Sequence, residues 1–512
     1  GNFYNNSHNF PKSEQMYQRA LKIQERLSQN NPSQFEHNLA FTLSSLGDFY
    51  SDNKNPREAE KMYQRGLDIF RRLAQNNPAK FEPVLATVLV DFGIFYSDNQ
   101  NPDEAEKMYQ YALNIEERLA KNNPARFEPD LAIALINLGN LYTNQNPGEA
   151  KKMYQQALEI EERLAKNNPA LFEPDLARAL TNLGNFYNYN QNSGETEKMY
   201  RRSLEIQERL AESNPAQFEP DLAVTLRNLG IFYSDNQNPG EAEKMFRRSL
   251  EIRERLAKKN PTQFEPDLAE TLISLGIFYY GNQNSDESEK MFRRSLEIRE
   301  RLAQNNPTQF EPVLAKTLNN YGVFCEQQHR FEEAKGLYNR AMTIRQKEVL
   351  KGLTNFFEDL DQVYLNLGNL RDSFEVQLDY PSVASIQQER AICMDSLIRL
   401  DSNRITQAIE DYGSLSWYSL LTHDFPAAES AARRALTLDS TQTWVNTNLA
   451  HALLFQHKNA EAEKIYRHLK NDIYDEDTGK KYRDVFLEDL EALRAAGVAT
   501  EQDIAQVKVW LE

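Results

Sequence analysis

Apolar residues recur with the spacing of an α-helix over much of the chain, in segments separated by short polar stretches. In one segment they run from Leu85 to Tyr96 at intervals of three or four residues. The next segment runs from Ala105 to Leu119 with similar spacing, and the polar residues 97–100 lie between the two. This pattern predicts two amphipathic helices joined by a tight turn.

Asparagines and prolines mark where these helices are expected to begin and end. Asn101, Pro102 and Glu104 suit the N-cap, first and third positions of the second helix, where the Glu side chain can complete a capping box. The first helix is predicted to begin near Pro83, with this proline in its first turn. The second helix is predicted to stop just before Pro124, because a residue that precedes proline is pushed out of the α region.

The helical pair is one unit of a long internal repeat. Single glycines recur at intervals of 46 residues, with one interval of 45 that reflects a deletion between Tyr142 and Pro147. A fixed period of this size is typical of a solenoid built from stacked helical pairs. The glycines are Gly1, Gly47, Gly93, Gly139, Gly184, Gly230, Gly276 and Gly322.

Several residues of each unit match a known repeat pattern. Leucine, glycine, tyrosine, alanine and phenylalanine occur at the spacings of the tetratricopeptide repeat (TPR), with leucine in place of its tryptophan, at Leu226, Leu229, Gly230, Tyr233, Ala242 and Phe246. The chain therefore resembles the TPR family, and its 46-residue units are similar to the long repeats of kinesin light chains. The resemblance implies an all-α fold, a right-handed TPR superhelical solenoid of helix-turn-helix repeats. Gly at one helix crossing and Ala or Ser at the other are expected to let the two helices of a pair approach closely.

The repeat pattern divides the chain into four regions. Residues 1–350 form the array of 46-residue repeats, whose first repeat is expected to be truncated because Gly1 already occupies the glycine position. Residues 351–405 form a divergent TPR-like unit around Gly368. Residues 406–472 form two units of 34 residues, marked by the spacing of Ala428 and Ala462. Residues 473–512 are expected to form capping helices.

Comparison of the repeats with one another separates packing positions from variable ones. In the first helix, the positions six and three residues before the glycine and one residue after it vary. The TPR resemblance implies that these positions line a concave groove that holds peptides. These positions form two apolar patches with a polar, partly basic stretch between them. Asparagines recur two residues before the glycine. The predicted groove residues are Val90, Ile94, Ile133, Ile136, Asn137, Asn140, Arg178, Asn182, Asn185, Arg227, Asn228, Ile231, Ile273 and Ile277.

The predicted ligand is an extended peptide segment with apolar anchors and an acidic group for the two arginines. The asparagine amides offer a donor and an acceptor together, which suits a peptide backbone. The alternative is that the isoleucines and valines pack on neighbouring helices and that the asparagines bond only within the array.

Charge and composition limit the classes of partner that the chain is expected to bind. The formal net charge of −17 repels phosphate backbones and anionic lipid, so we expect neither nucleic acid nor a membrane as a partner. The chain has no apolar stretch long enough to span a bilayer, and only two cysteines, Cys325 and Cys393, which favours a cytoplasmic location. Cys325 takes the place of a helix-end tyrosine and is expected to be a packed core thiol.

No motif for catalysis, a cofactor or a metal is present. His451 and His457 are six residues apart, which predicts different faces of one helix, and acidic strings such as Glu159–Glu162 are expected to be solvated helix faces. The sequence therefore predicts a non-enzymatic scaffold or adaptor without cofactors that binds a protein or peptide, its oligomeric state left open. The alternative is a peptide-sensing arm of a larger effector, with a protease or NTPase domain before Gly1.

Overall fold

A computed structural model describes residues 10–53, 55–352 and 356–512; Gly1, on which the prediction of a truncated first repeat rests, lies outside them. The described chain is helical apart from one two-stranded hairpin, which confirms the all-α prediction. It divides into two compact units, residues 1–317 and 318–512. The predicted end of the repeat array at residue 350 is a boundary in the sequence pattern and stays a prediction.

The first unit consists of regularly alternating helices of nearly equal length. Helices with even numbers carry the repeated glycines and are the first helices of each pair; odd-numbered helices are the second. They are α1 (Phe10–Asn30), α2 (Pro32–Asp52), α3 (Pro56–Asn76), α4 (Pro78–Asp98), α5 (Pro102–Asn122), α6 (Pro124–Gln145), α7 (Pro147–Asn167), α8 (Pro169–Tyr189), α9 (Ser193–Ser213), α10 (Pro215–Asp235), α11 (Pro239–Lys259), α12 (Pro261–Gly281), α13 (Ser285–Asn305) and α14 (Pro307–Gln327), the last of which continues into the second unit.

The first helices begin earlier than predicted. Helix α4 begins at Pro78, and Pro83 lies inside it, so the prediction of a start near Pro83 was wrong. The reason is a one-residue junction: the Asn77 N–H donates to Leu73 O of the preceding helix, and its side chain accepts from Lys80 N. Asparagine followed by proline is the stronger start signal, because both residues suit a helix N-terminus.

The second helices begin at asparagine, as predicted, but without a capping box. The Asn101 side chain accepts a hydrogen bond from Glu104 N. The reciprocal bond is absent because the Asn101 N–H already donates to Tyr96 O, and the Glu104 carboxylate pairs with Lys107 at 2.6 Å. The capping-box prediction was therefore wrong at this position. 

The glycine of each first helix packs directly against an aromatic ring of the second helix. A Cβ atom added to Gly184 would lie 2.6 Å from the ring of Tyr200, and one added to Gly230 would lie 2.7 Å from Phe246. Both rings are buried. The small residue at the other crossing is serine in several pairs, and Ser203 Oγ donates to Ala177 O at 2.7 Å. The predicted close approach of the two helices is confirmed.

Arg–Glu ion pairs repeat along the surface of the first unit with the period of the array. Arg118 pairs with Glu82 of its own helical pair at 2.7 Å, and Arg202 pairs with Glu162 of the preceding helical pair at 2.7 Å. Exposed pairs of this kind contribute about 1 kcal/mol or less each. They connect helices within a pair and between successive pairs, while apolar burial supplies most of the stability.

The second unit continues with shorter and less regular helices. After α15 (Phe331–Leu350), which completes the last 46-residue repeat, they are α16 (Phe357–Val376), α17 (Tyr380–Leu397), α18 (Arg404–Leu421), α19 (Phe425–Leu438), α20 (Val445–Phe455), α21 (Asn459–Leu469), α22 (Tyr482–Ala495) and α23 (Glu501–Leu511). A hairpin that the sequence analysis did not predict, β1 (Ile473–Asp475) with β2 (Lys480–Lys481), precedes α22.

Buried polar groups also occur in this second unit. A Cβ on Gly368 would meet the guanidinium of Arg390 rather than an aromatic ring, and Arg390 lies 4.0 Å from the ring centre of Tyr364. His451 is fully buried, with Nδ1 2.8 Å from the Tyr466 hydroxyl. Cys325 is fully buried, which confirms its prediction as a core thiol. Among the described residues, no helix combines the length and the apolar character needed to cross a bilayer.

We predict opposite effects of two Gly→Ala substitutions in neighbouring helices. Gly184→Ala forces a methyl group into the Tyr200 ring and should lower the free energy of unfolding by about 1–3 kcal/mol. Gly194→Ala, in the first turn of α9, meets no atom within 4 Å and should raise it slightly, because alanine favours the helix by about 0.5–1 kcal/mol. Urea unfolding followed by circular dichroism measures both, and equal effects would contradict the packing role of Gly184.

Candidate functional site

The first helices of the first unit form one continuous wall. Helix α2 contacts α4, and the same contact repeats between α4 and α6, α6 and α8, α8 and α10, and α10 and α12. We call the solvent-facing side of this wall the first-helix face. It consists of the positions six and three residues before each repeated glycine and one residue after it, with the asparagines two residues before.

The outer positions of this face are exposed. Ile94, Ile133 and Ile277 expose 39%, 47% and 50% of their surfaces, although isoleucine is usually buried. Arg178, Asn140 and Asn185 are also exposed, and Ile231 is half-buried. The positions six before and one after the glycine therefore present side chains to solvent.

The position three residues before the glycine is largely buried. Val90 and Ile273 expose only 8% and 9% of their surfaces, and Ile136 and Arg227 are half-buried. Thr181, at the same position, shows why: its Oγ1 lies 2.8 Å from Ser203 Oγ in its own pair and 3.1 Å from Thr225 Oγ1 in the next first helix. This position lies between helices. Val90 and Ile273 thus offer little surface to a ligand and shape the face from beneath.

Hydrogen bonds fix most of the asparagine amides. Tyr154 OH donates to Asn140 Oδ1 at 2.5 Å, and Tyr200 OH donates to Asn185 Oδ1 at 2.6 Å. The Asn185 oxygen also accepts from Asn228 Nδ2 of the next first helix, at 3.1 Å. These bonds orient the amides from below, since both tyrosines come from second helices.

The remaining predicted asparagines differ in their surroundings. Asn137 Nδ2 donates to Ile133 O of its own helix at 3.0 Å, and Asn182 is half-buried. The asparagines thus do not act as one uniform column, because each bonds to whichever residues its own repeat provides.

The two predicted arginines already have acidic neighbours. Arg178 pairs with Asp175 of its own helix, and Arg227 pairs with Glu270 of the next first helix. Burial acts to raise the pKa of Glu270, but the charge and hydrogen bond of Arg227, with the charges of Arg299 and Lys316, outweigh it, so the pKa lies below its usual value. The charges of three cations thus act on this single carboxylate.

A second set of variable residues lies on the second helices and was missed by the sequence analysis. Each stands 23 residues after its glycine, or 22 in the repeat with the deletion, and we call this set the buried column. Their exposed fractions range from 0% to 7%. The members in the first unit are Phe70, Glu116, Glu161, Gln207, Arg253 and Arg299.

Glu161 corrects the prediction that residues 159–162 form a solvated face. Its side chain is buried, while Glu159 and Glu162 are exposed. The comparison of repeats that identified the first-helix face would have found this column too, had it been extended to the second helices. Adjacent glutamates in the string concealed the difference between them.

The buried column contacts the next first helix beside the exposed positions. Arg253 donates from Nη1 to Asp267 Oδ2 at 2.7 Å, and Arg299 donates from Nη1 to Val313 O at 3.0 Å. Both acceptors stand nine residues before the next glycine, as does Asp130, whose charge acts on Glu116. The column thus lies directly beneath the first-helix face.

The two glutamates of the column lack compensating partners. Glu116 Oε2 and Glu161 Oε2 have no hydrogen-bond partner among the described residues. Burial, with the charge of Asp130, raises the pKa of Glu116 to about 8. Burial and the charge of Asp175 raise the pKa of Glu161 to about 7, although Arg178 opposes them. Burial likewise lowers the pKa of Arg253 and of Arg299.

Family models of the tetratricopeptide repeat match most of the region that holds this face. One model matches residues 84–163, 175–255 and 267–347, and a second matches residues 39–78. Together the matches cover more than half of the chain. A comparison with curated proteins found no match.

Solved structures similar to this chain share little sequence with it. BtubC (BKLC) from P. vanneervenii is 21% identical, with a TM-score of 0.40 over 48% of this chain and 91% of that one. The apo form of RapI is 15% identical, with a TM-score of 0.40 over 61% and 99%. A Rap protein complexed with Competence and Sporulation Factor is 16% identical, with a TM-score of 0.43 over 66% and 80%.

We predict that the buried glutamates make stability depend on pH. In the folded chain Glu116 and Glu161 keep their protons to about pH 8 and 7, above the ordinary value of 4.5, so the folded state binds more protons in this window. The free energy of unfolding therefore falls as the pH rises through it. The double substitution Glu116→Gln and Glu161→Gln should stabilise the chain more at about pH 8 than at about pH 5.

Urea midpoints at the two pH values measure this difference. Glu159→Gln, an exposed neighbour on the same helix as Glu161, is the matched control and should change both midpoints little. If the double variant shifts both midpoints equally, the two carboxyls do not titrate in this range.

Proposed function

Because this chain belongs to the tetratricopeptide repeat family, we propose that it is a protein-interaction scaffold whose first-helix face binds an extended peptide segment of a partner. The exposed positions of this face supply apolar anchors, and its amides and arginines supply polar contacts. The proposal concerns the first unit, residues 1–317, where the regular helical pairs lie.

The observation that carries the proposal is the exposure of large apolar side chains at positions without a packing duty. Glycines and aromatic rings recur from pair to pair, and these fixed residues form the core. Ile94, Ile133 and Ile277 stand at positions where the residue type changes from repeat to repeat, and they are exposed on one wall. Burying a whole side chain of this size contributes about 1.5–3 kcal/mol, so covering the half that is still exposed contributes about half as much, which favours a binding role for the wall.

The polar centre of the face suits a peptide backbone. Asn140, Asn185 and Asn228 are oriented by hydrogen bonds from the array itself, so a ligand meets amides whose rotamers are already set. Side chains held in this way lose little conformational entropy on binding. An extended peptide, with its alternating donors and acceptors, is the ligand that such amides recognise.

We predict that acidic substitutions on the face abolish peptide capture. Peptides are first selected from a random display library against the whole chain, and their affinities are measured by fluorescence anisotropy. Ile94→Glu combined with Ile277→Glu removes two apolar anchors and should weaken binding by about tenfold or more for each anchor that the peptide uses. Both side chains are exposed, so the fold tolerates the change.

Leu171→Glu is the matched control. Leu171 is also an exposed apolar residue, but it lies in the first turn of α8, seven residues before Arg178 and outside the face. Its substitution should leave the affinities unchanged. Selected peptides that bind the double variant as tightly as the original chain would refute the proposed site.

A further inference from the structure

The buried column changes the sign of its charge along the array. Glu116 and Glu161 occupy it on α5 and α7, Gln207 occupies it on α9, and Arg253 and Arg299 occupy it on α11 and α13. All five residues are buried at the same register, beneath the first-helix face. The column is thus acidic toward one end of the face and basic toward the other.

Packing does not require polar residues at this position. Phe70 fills it on α3 with no exposed surface, so an apolar side chain satisfies the same site. A buried carboxyl without a partner costs about 1–3 kcal/mol relative to a paired one. Polar side chains at this position in five successive pairs therefore reflect a requirement other than the stability of the isolated chain.

At the acidic end, the described residues bring no cation to Glu116 and only Arg178 to Glu161. Glu116 and Glu161 each have a buried carboxylate oxygen without a partner among the described residues, and the next first helices bring Asp130 and Asp175 toward them rather than bases. Arg178 acts on Glu161 but is itself paired with Asp175. A cationic group entering here would meet carboxylates on two successive repeats.

The basic end has an excess of cations. Arg227, Arg299 and Lys316 act together on Glu270, while Arg253 is paired with Asp267. Arg299 Nε has no hydrogen-bond partner among the described residues, although the residue is buried. Glu270 neutralises part of this positive charge, and an anionic group of a ligand would neutralise more of it.

We propose that the first-helix face selects peptides whose charge changes sign along their length, with a lysine or arginine over Glu116 and Glu161 and an aspartate or glutamate over Arg299 and Lys316. This inference rests on the proposed function and adds the charge of the ligand to it. The buried column recognises the charges, and the exposed isoleucines supply apolar contacts around them.

The array sets the spacing between the two charges. Neighbouring helices pack about 8–10 Å apart, so the first helices advance by roughly 10 Å per repeat. An extended peptide advances by about 3.4 Å per residue, or about three residues per repeat. Three repeats separate the acidic end from the basic end. The opposite charges of the ligand are therefore expected about nine residues apart.

Selection from a naive random peptide library tests the charge pattern without assuming it. Against the whole chain, enriched peptides should carry a basic and an acidic residue about nine positions apart, in either chain direction. Against the Glu116→Gln and Glu161→Gln double variant, the basic residue should lose its enrichment while the acidic one keeps it. Arg299→Gln should have the reverse effect. Glutamine has the size of glutamate, so the double variant keeps the packing, whereas Arg299→Gln removes the charge and shortens the side chain.

A peptide from this selection then gives a double-mutant cycle by fluorescence anisotropy. Changing its basic residue to glutamine should weaken binding to the original chain by about tenfold, and binding to the glutamate double variant by less than about twofold. Binding of the unmodified peptide should tighten from about pH 6 to about pH 8, because the cation requires the carboxyls to ionise. The charged groups that face them are Asp130 for Glu116, and Asp175 and Arg178 for Glu161.

The outcomes separate this inference from the proposed function. One outcome is that binding requires Ile94 and Ile277, while changing the peptide's basic residue weakens binding equally to the original chain and to the glutamate double variant. That outcome overturns the charge selection and leaves the peptide site in place. Peptides that bind independently of Ile94 and Ile277 overturn the site itself. Selective loss of coupling in the glutamate variant, with retained dependence on the isoleucines, supports both.

Discussion

The contact between a glycine and an aromatic ring is the constraint on which the array depends. Gly184 admits the ring of Tyr200 at a distance where any Cβ would clash, and the same arrangement recurs at Gly230 with Phe246. Close approach of the two helices buries their apolar faces, and a repeated distance within each pair lets the next pair stack in the same register. In the second unit Gly322 keeps a ring, that of Tyr338, whereas the nearest atoms belong to Arg390 at Gly368 and, from outside the pair, to Trp444 at Gly413. A close contact at the glycine is thus common to these helices, and an aromatic ring usually, but not always, makes it.

Much of the fold follows from the sequence because the same pattern of apolar residues and glycines recurs in each repeat. Periodicity predicts the paired helices, and glycine spacing predicts which faces meet. Local competition between signals explains the errors. Pro83 resembles a helix start, but the Asn77–Pro78 pair upstream caps better, and the proline is accommodated inside the helix. Glu104 resembles half of a capping box, but the donor it needs is already bound by Tyr96. Such outcomes depend on which neighbouring group takes a hydrogen bond first, and spacing alone does not contain that information.

The candidate site is only partly visible in the sequence for a related reason. Variation between repeats identifies positions without a common packing duty, but it does not distinguish exposed variation from buried variation. Ile94 and Val90 vary alike, yet one lies in solvent and the other between helices. Glu161 and Glu162 read alike, yet only the first is buried. Burial depends on the angle at which successive pairs stack, which is a property of the assembled unit. Variation and burial considered together identify the column beneath the face.

A repeat array can carry buried charge that a globular core would reject. Its stability is close to a sum of units and nearest-neighbour interfaces, so an unpaired carboxyl at Glu116 or Glu161 weakens one interface and leaves the others intact. The neighbouring glycine–ring contacts remain to hold that pair together. The position occupied by Phe70 in one pair is therefore available to a charged residue in another. If a ligand supplies the missing counter-charge, the interface weakened in the free chain is strengthened in the complex, because ionised partners in a buried site stabilise each other once both are present. The interaction between the ligand's charge and the buried carboxyl then determines both which ligand binds and how stable that part of the array is.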